Sequence, residues 1–225
     1  MIKLRERSER GELMKQTRLT SGPLLDEKGK LNQAGYATEL IKTYSRKDIK
    51  VKGLRIKEWD YYYTGNQTYG FAVTVADNDY MYLVSVTFFD FTLKKETTKS
   101  KMGFLSQGKL NLPSSPQEGN VIFKKKGFEI YYLLEEQTRH IIVHVDQFID
   151  NDKLIADLYL TPSIKDSMVI ATPFDKPKHF YYNQKINLLH TLGNVTIGDK
   201  TFDFKDAYGV LDWGRGVWTY KNTWY

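Results

Sequence analysis

The chain has 225 residues and a formal charge of +6, from 33 Lys and Arg against 27 Asp and Glu. Hydrophobic residues make up 41% and aromatic residues 14%, which is enough for a core and too much for a disordered chain. The absence of Cys excludes disulfides, thiolate metal sites and a Cys nucleophile. No apolar run approaches the roughly 20 residues that cross a bilayer, and residues 1–20 lack the apolar stretch of a signal peptide. We therefore predict a cytoplasmic protein without a transmembrane segment.

The densest basic stretch covers residues 42–57, where Asp48 is the one acidic side chain. Such a stretch is compatible with a phosphate-binding groove. It is equally typical of a solvated loop that leads into a strand, and we favour that interpretation. The sequence thus predicts no nucleic-acid partner.

Strand patterns dominate after a charged tail or frayed helix over residues 1–22. Residues 94–101 are predicted to be a polar connection, and the Gly-rich residues near the C-terminus are predicted to form a tight turn. The predicted strands cover residues 59–63, 69–75, 80–91, 104–112, 120–125, 128–134, 139–148, 154–161, 167–171, 180–189, 193–197 and 201–204.

Short strands at intervals of roughly 8–12 residues predict an all-β barrel or sandwich. No long stretch of helical periodicity follows the N-terminal tail, and no internal repeat is visible. The sequence also lacks the GxGxxG, P-loop, GxSxG and HExxH motifs, which makes dinucleotide, nucleotide, α/β-hydrolase and zincin chemistry poor hypotheses.

The pair His140 and His144 has the spacing of a helical metal site, but Ile141, Ile142 and Val143 fill the interval and favour a strand. Four residues of strand span about 13 Å, which is too far for one zinc ion. We therefore predict that both His side chains lie on one face of a sheet, and we expect neither a metal nor another cofactor.

Two clusters carry candidate functional residues. On a strand, residues 57–63 place Trp59 and its alternate neighbours on one face and Glu58, Asp60 and Tyr62 on the other. A carboxylate and a phenol would then share a barrel lumen, unless these residues form only an aromatic core face with salt bridges outside.

The second cluster is residues 212–218, Asp-Trp-Gly-Arg-Gly-Val-Trp. The two Gly residues would let the backbone bend and bring Arg215 onto an aromatic ring or a carboxylate, with Asp212 as its expected partner. A buried structural ion pair is the alternative to a functional one. The strand that contains Tyr182 interleaves further polar and aromatic residues.

The sequence resembles the domain of unknown function 2804 family over about residues 23–225. The resemblance is carried by Arg-Ile-Lys-Glu-Trp-Asp-Tyr-Tyr at 55–62, Val-Ala-Asp-Asn-Asp-Tyr at 75–80, Val-Thr-Phe-Phe-Asp at 86–90, Tyr-Asn-Gln-Lys at 182–185, the string at 212–220, and the opening segment at 23–32. Thr219 stands where the family usually has Pro.

The resemblance implies a distant similarity to carotenoid hydratases and tocopherol cyclases, which are built from two lipocalin-like barrels. It therefore implies a first lipocalin-like antiparallel barrel over residues 23–175 and the start of a second barrel over residues 176–225. Members of the family continue beyond the closing motif, so we expect this chain to be a truncated fragment whose strands after residue 180 lack partners.

The resemblance implies binding of an apolar, lipid- or terpenoid-like molecule, and the expected chemistry on it is non-redox acid catalysis such as hydration, cyclisation or isomerisation. Asp60 or Asp212 is the candidate acid, and Arg215 would orient Asp212 or bind an anionic head group. The candidate ligand-binding aromatics are Trp59, Tyr62, Tyr182, Trp213 and Trp218. The alternatives are a carrier without chemistry and a carbohydrate-binding β-sandwich with exposed aromatics. The sequence indicates no oligomeric state.

Overall fold

The computed structural model describes residues 16–221, so the predicted helix or tail lies outside it up to residue 15. The described part consists of strands and one 3-10 helix, Arg46–Asp48. The strands are β1 (Gly22–Pro23), β2 (Gly35–Ala37), β3 (Lys42–Thr43), β4 (Ile56–Gly65), β5 (Tyr69–Asp77), β6 (Met81–Asp90), β7 (Lys95–Phe104), β8 (Val121–Lys125), β9 (Phe128–Glu135), β10 (Thr138–Ile149), β11 (Asp152–Pro162), β12 (Met168–Pro173), β13 (Phe180–Ile197), β14 (Lys200–Asp203) and β15 (Ala207–Val217).

Thirteen of these strands form one antiparallel sheet that curls around the core. The sheet runs in the order β7-β6-β5-β4-β15-β13-β11-β10-β9-β8, with β12, β2 and β14 attached through β13. The strands β1 and β3 form a separate parallel pair. The predicted fold class, an all-β lipocalin-like antiparallel barrel, is confirmed.

The long strand β13 joins two parts of the sheet. Its first half pairs with β12 and its second half pairs with β11. Its register with β15, on the other side, shifts between Ile186 and Leu189. Leu188 has a positive φ of 55° at this break, which lets the strand turn from one neighbour to the next. The sheet is therefore continuous across residue 175, and the division into two barrels stays a prediction.

One face of the curled sheet is packed inside. Val75 on β5, Val84 on β6, Ile130 on β9, Val143 on β10 and Leu158 on β11 are all fully buried, and each alternates with less buried neighbours. This is the period of two that a half-buried strand requires. On β6, Val84, Val86 and Phe88 lie on the buried face and alternate with less buried residues.

The structure reverses two neighbouring predictions, one of a connection and one of a strand. Residues 94–101 are predicted to be a polar connection, but Lys95–Phe104 forms the edge strand β7. Most of residues 104–112, predicted to be a strand, form a loop. The strand β7 has no apolar inner face, because the cross-strand partners of the inward residues of β6 are Lys95, Thr97, Lys99 and Lys101, of which the three lysines are exposed. Inward charges on an edge strand also discourage pairing with another chain.

The C-terminal segment also differs from the prediction. Residues 207–217 form β15, an interior strand paired with β4 and β13, rather than a tight turn. The expectation that strands after residue 180 lack partners is wrong, because β13 and β15 are paired on both sides. Residues 17–19, part of the expected tail, bond to Tyr36, and Leu19 is buried. No described helix is long and apolar enough to span a bilayer.

Candidate functional site

The strand β4 carries the first predicted cluster. Glu58, Asp60 and Tyr62 point inward and are buried, whereas Trp59 and Tyr61 point outward and are half-buried. The predicted alternation of this strand is confirmed. In the register of the sheet, Asp60 lies beside Trp213 of β15 on one side and Val75 of β5 on the other. An acidic residue is thus placed in the middle of an apolar core.

Arg215 is the cation that balances these carboxylates. It is fully buried, and its Nη1 donates to Asp60 Oδ1 at 2.9 Å and to the carbonyl oxygens of Trp59 and Gly214 at 2.8 and 2.9 Å. Its Nε lies 3.9 Å from Glu58 Oε1. A charge inside a protein is tolerated when it is paired and its hydrogen-bonding groups are engaged, as most of them are here.

The predicted pairing of Asp212 with Arg215 is wrong. Residues three apart on a strand point to opposite faces, so Asp212 lies on the outer face while Arg215 lies inside. The carboxylate of Asp212 instead binds Lys185 Nζ and accepts a hydrogen bond from Asn183 Nδ2 at 2.7 Å. Trp59 Nε1 donates to the same oxygen at 3.3 Å. The prediction assumed a turn where the backbone is extended.

Glu58 is part of a second ionic cluster that the sequence did not reveal. Its carboxylate accepts from Tyr44 Oη at 2.7 Å and from Arg46, whose guanidinium also binds Asp79. Asp79 Oδ2 accepts from the backbone N–H of Ile56 at 2.9 Å. Desolvation, followed by the neighbouring Glu58 charge, raises the pKa of the Tyr44 phenol well above its usual value. The contacts of Tyr44 and Arg46 therefore hold residues 44–48 in place across one end of the barrel.

The same end is closed by the loop between β7 and β8. Arg215 Nη2 donates to the carbonyl oxygen of Pro113 at 2.8 Å. Arg139, a second buried arginine, donates to the carbonyl oxygens of Pro116 and Gly119 at 2.7 and 3.1 Å. Charge-assisted bonds of this kind fix a loop more firmly than neutral ones. Two anchored segments thus cover the end of the barrel that lies nearest Asp60.

Two tyrosines face each other beside Asp60. The rings of Tyr62 and Tyr132 are 4.9 Å apart in an edge-to-face arrangement, and both are buried. Desolvation raises the pKa of each phenol well above its usual value, and the nearby Asp60 charge acts in the same direction. Both phenols therefore stay neutral over the ordinary pH range. Tyr132 Oη has no hydrogen-bond partner among the described residues.

Trp213 and Tyr182 lie inside the barrel beside Arg215. The Arg215 guanidinium carbon is 4.5 Å from the centre of the Trp213 ring, a cation–π contact, so the predicted approach to an aromatic ring is confirmed. The Tyr182 ring meets Trp213 edge-on at 5.7 Å, and its hydroxyl donates to the Lys42 carbonyl oxygen at 3.0 Å. These aromatics pack against the ion pair and against each other.

Trp59 and Trp218 lie on the outer face, in a cluster with Tyr181. The Trp59 ring stacks on Tyr181 at 5.8 Å, and Trp218 meets both rings edge-on at 5.9 and 5.6 Å. The two Gly residues of the motif provide this space: a Cβ on Gly214 would lie 2.1 Å from Trp59 Cζ2, and one on Gly216 would lie 2.4 Å from the Phe180 carbonyl oxygen. The candidate ligand-binding aromatics are thus divided between the two faces of the sheet.

A cavity of about 390 Å³ opens at the other end of the barrel. It lies between the edge β6–β7 hairpin and the hairpin that joins β13 to β14. Its lining residues are Phe88, Asp90, Leu93, Lys95, Thr97, Ile149, Asp152, Ile197, Asp199, Lys200 and Phe202. The sequence did not predict this cavity, because its residues come from six strands and two turns and form no local motif.

None of the predicted site residues lines the cavity. In the register of the sheet, Asp60 lies opposite Val75, which lies opposite Val84 on β6. The cavity residue Phe88 is four residues beyond Val84 along the same strand, a distance of about 13 Å. Asp212 is on the outer face. Within residues 16–221, no group of three or more His, Cys, Asp or Glu side chains is arranged to hold a metal ion. His140 and His144 lie on one face of strand β10, as predicted, and His140 Nε2 lies 2.8 Å from Asp157 Oδ1.

Residues 15–225 match the family described as a domain of unknown function, DUF2804. The chain is a DUF2804 protein. No curated protein matches it. A solved structure from Nitrosomonas europaea, provisionally named as an AttH protein, is 13% identical, with a TM-score of 0.48. The similarity covers 73% of this chain and 51% of that one, so the chain spans about half the length of that structure.

Three of the six segments that carried the family resemblance come together in the fold. The strings at 55–62 and 212–220 lie on the adjacent strands β4 and β15, and the string at 182–185 lies next to them on β13. They supply the Asp60–Arg215 ion pair inside and the Trp59 cluster outside. The characteristic sequence of this chain is therefore concentrated where three central strands of the sheet meet.

Proposed function

We propose that this DUF2804 protein binds an apolar small molecule in the cavity between the β6–β7 and β13–β14 hairpins and holds it without chemical conversion. The observation that carries the proposal is the cavity itself, to which Phe88, Ile149, Ile197 and Phe202 contribute apolar surface. A volume of about 390 Å³ is within the range of roughly 300–1,000 Å³ typical of small-molecule sites.

The closed end of the barrel supports this location. Access to the interior near Asp60 is covered by the segment 44–48 and by the loop that Arg139 and Arg215 anchor. The opposite end carries the cavity and has exposed apolar residues at its rim, such as Leu93, which is 71% exposed. An exposed leucine at a cavity mouth gains contact area when a ligand is bound.

A carrier is favoured over an acid catalyst because of where the candidate acids lie. Asp60 is held by Arg215 and Asp212 by Lys185, and neither lines the cavity. Their roles as proton donors, and the roles of the predicted aromatics in ligand binding, stay predictions. A sugar-binding surface requires exposed aromatic platforms, whereas Trp213 and Trp218 are buried. The cytoplasmic location and the absence of a nucleic-acid partner also stay predictions.

The proposal is tested by titrating the protein with N-phenyl-1-naphthylamine, whose fluorescence rises in apolar surroundings. Two matched variants on β7 locate the response. Thr97→Phe fills the cavity, whereas Thr98→Phe places the same ring on the outer face of the strand. We expect saturable binding to the wild type and to Thr98→Phe, and at least a tenfold loss in Thr97→Phe. Equal binding by the two folded variants would refute the proposed site.

A further inference from the structure

We infer that the ligand is a small amphiphile of about 13 non-hydrogen atoms, with an apolar tail and a head group that donates hydrogen bonds. This inference rests on the proposed function, and it specifies the size and polarity of the molecule that the cavity accepts. Neither property follows from the family to which the chain belongs.

The size follows from the volume of the cavity. A water molecule, which has one non-hydrogen atom, occupies roughly 30 Å³ in the liquid. The volume of about 390 Å³ divided by roughly 30 Å³ gives about 13 such atoms. A linear molecule of ten to twelve carbons fits this volume. In a larger hydrophobic molecule, the part that exceeds the cavity stays in water and adds nothing to the driving force for binding.

The lining is divided into an apolar floor and a charged mouth. Phe88 and Ile197 are buried and Phe202 is half-buried, so they form the floor. The side chains of Asp152 and Lys200 are exposed and lie at the mouth. A ligand that satisfies both parts has an apolar chain at one end and a polar group at the other, because an apolar group at the mouth or a polar group on the floor would be poorly solvated.

The polarity of the head group follows from the charges of the mouth. Three aspartates, Asp90, Asp152 and Asp199, face two lysines, Lys95 and Lys200, so the net charge of the lining is 3 − 2 = 1 negative. Asp90 and Lys95 are cross-strand partners, and Asp90 also accepts the backbone N–H of Leu93 at 2.8 Å. Asp152 and Asp199 are then left for a ligand beside the two lysines, and the excess of one carboxylate gives the mouth a net negative charge.

Asp152 and Asp199 are the available acceptors. Neither side chain forms a hydrogen bond or an ion pair with another residue of the described part of the chain. The Asp152 carboxylate lies against Gly198, where a Cβ would come within 2.8 Å of its oxygens, so it sits beside the turn that carries Asp199. Ionised carboxylates only accept hydrogen bonds. Among head groups of a ligand, these carboxylates should therefore bind an amine most tightly, an alcohol less tightly and a carboxylate least tightly.

The test is calorimetric titration of the whole chain with straight-chain amines, alcohols and carboxylates of six to sixteen carbons, below their micelle concentrations. Each added CH₂ should tighten binding about fourfold, the equivalent of about 0.8 kcal/mol, until the cavity is full. The gain should cease near ten to twelve carbons. At ten carbons, the amine should bind at least fivefold more tightly than the carboxylate.

Variants of the mouth assign the head-group preference. Asp152→Asn and Asp199→Asn should each reduce the preference for the amine at least twofold, whereas Asp206→Asn, an exposed aspartate outside the cavity, should leave it unchanged. Tightest binding of the carboxylate, or affinity that rises through sixteen carbons, would overturn this inference while the fluorescent probe still bound at the site. If neither the probe nor any member of the series bound, the proposed function itself would fail.

Discussion

The carboxylate of Asp60 and the guanidinium of Arg215 meet inside the curled sheet, with Oδ1 2.9 Å from Nη1 and both side chains buried. The two residues are 155 positions apart in the chain and lie on the neighbouring strands β4 and β15. The pair is one of several contacts of Arg215, which also binds carbonyl oxygens of Trp59, Gly214 and Pro113. It joins the middle of the sheet to the loop that covers one end of the barrel.

Removal of Arg215 should destabilise the protein strongly. Arg215→Met leaves Asp60 without its cation in a dry interior, a change that typically costs about 3–5 kcal/mol. The double variant Asp60→Asn with Arg215→Met should recover part of this loss, because no charge of the pair is then stranded. Urea denaturation measures both effects. A loss below about 1 kcal/mol for Arg215→Met would mean that the pair does not stabilise the fold.

Asp212, by contrast, should contribute little to stability. It is paired with Lys185 on the outer face, where the two side chains are 27% and 34% exposed. Ion pairs of this exposure contribute roughly 0–1 kcal/mol. We therefore expect Asp212→Asn and Lys185→Gln each to lower the free energy of unfolding by less than about 1 kcal/mol. A loss comparable to that of Arg215→Met would show that Asp212 is needed for folding, contrary to its position.

The sequence motif around Arg215 requires glycine for reasons of space. In Gly214→Ala, the new Cβ would lie 2.1 Å from Trp59 Cζ2, so the Trp59 ring must leave its stack on Tyr181. Such overpacking costs about 1–3 kcal/mol. The fluorescence of Trp59 should shift as its surroundings change. The double variant Gly214→Ala with Trp59→Leu should be less destabilised than the sum of the two single variants, and full additivity would argue against the contact.

Alkaline pH should destabilise the protein through its buried tyrosines. Burial raises the pKa of Tyr182 to about 12 from the usual 10.0 of a tyrosine, and the pKa values of Tyr44, Tyr62 and Tyr132 are raised as well. Between these pH values the folded protein keeps the Tyr182 proton and the unfolded chain loses it. The stabilisation is therefore complete below about pH 10 and is lost as the pH rises to about 12, by up to about 1.4 kcal/mol per pH unit.

The alkaline effect is measured by urea denaturation at a series of pH values, together with tyrosine absorbance at 295 nm. Tyr182→Phe should show a shallower decline of stability above about pH 10 than the wild type, because one of the contributing protons is absent. If every tyrosine in the folded protein ionised in a single step near pH 10, the burial of these phenols would be contradicted.

The sequence was sufficient for the fold class and for the strands with a clear period of two. Residues 58–62 alternate so regularly that their division between two faces of the strand could be predicted, but the pattern did not determine that Asp60 and Tyr62 lie on the buried face. The edge strand β7 could not, because its inward side carries Lys and Thr and its pairing depends on β6 rather than on its own composition.

The candidate site was only partly predictable for a similar reason. The sequence predicts that Arg215 pairs with a carboxylate and indicates the nearest one, Asp212, whereas the sheet supplies Asp60 from a strand 155 positions away. Arg46 and Asp79 lie outside the strands, and no local pattern indicates their contacts. Only the folded chain brings Arg46 to both Glu58 and Asp79. The cavity depends on six strands at once, and long-range contacts of that kind leave no local pattern.

The most direct test of the proposed binding site is nuclear magnetic resonance of protein labelled at its isoleucine methyl groups, titrated with 1-decanol. Ile149 and Ile197 line the cavity, whereas Ile130 and Ile141 are buried in the core away from it. We expect intermolecular Overhauser contacts from the decanol chain to Ile149 and Ile197 and none to Ile130 or Ile141. Contacts to Ile130 or Ile141 without contacts to Ile149 and Ile197 would contradict the proposed site and place the ligand inside the barrel.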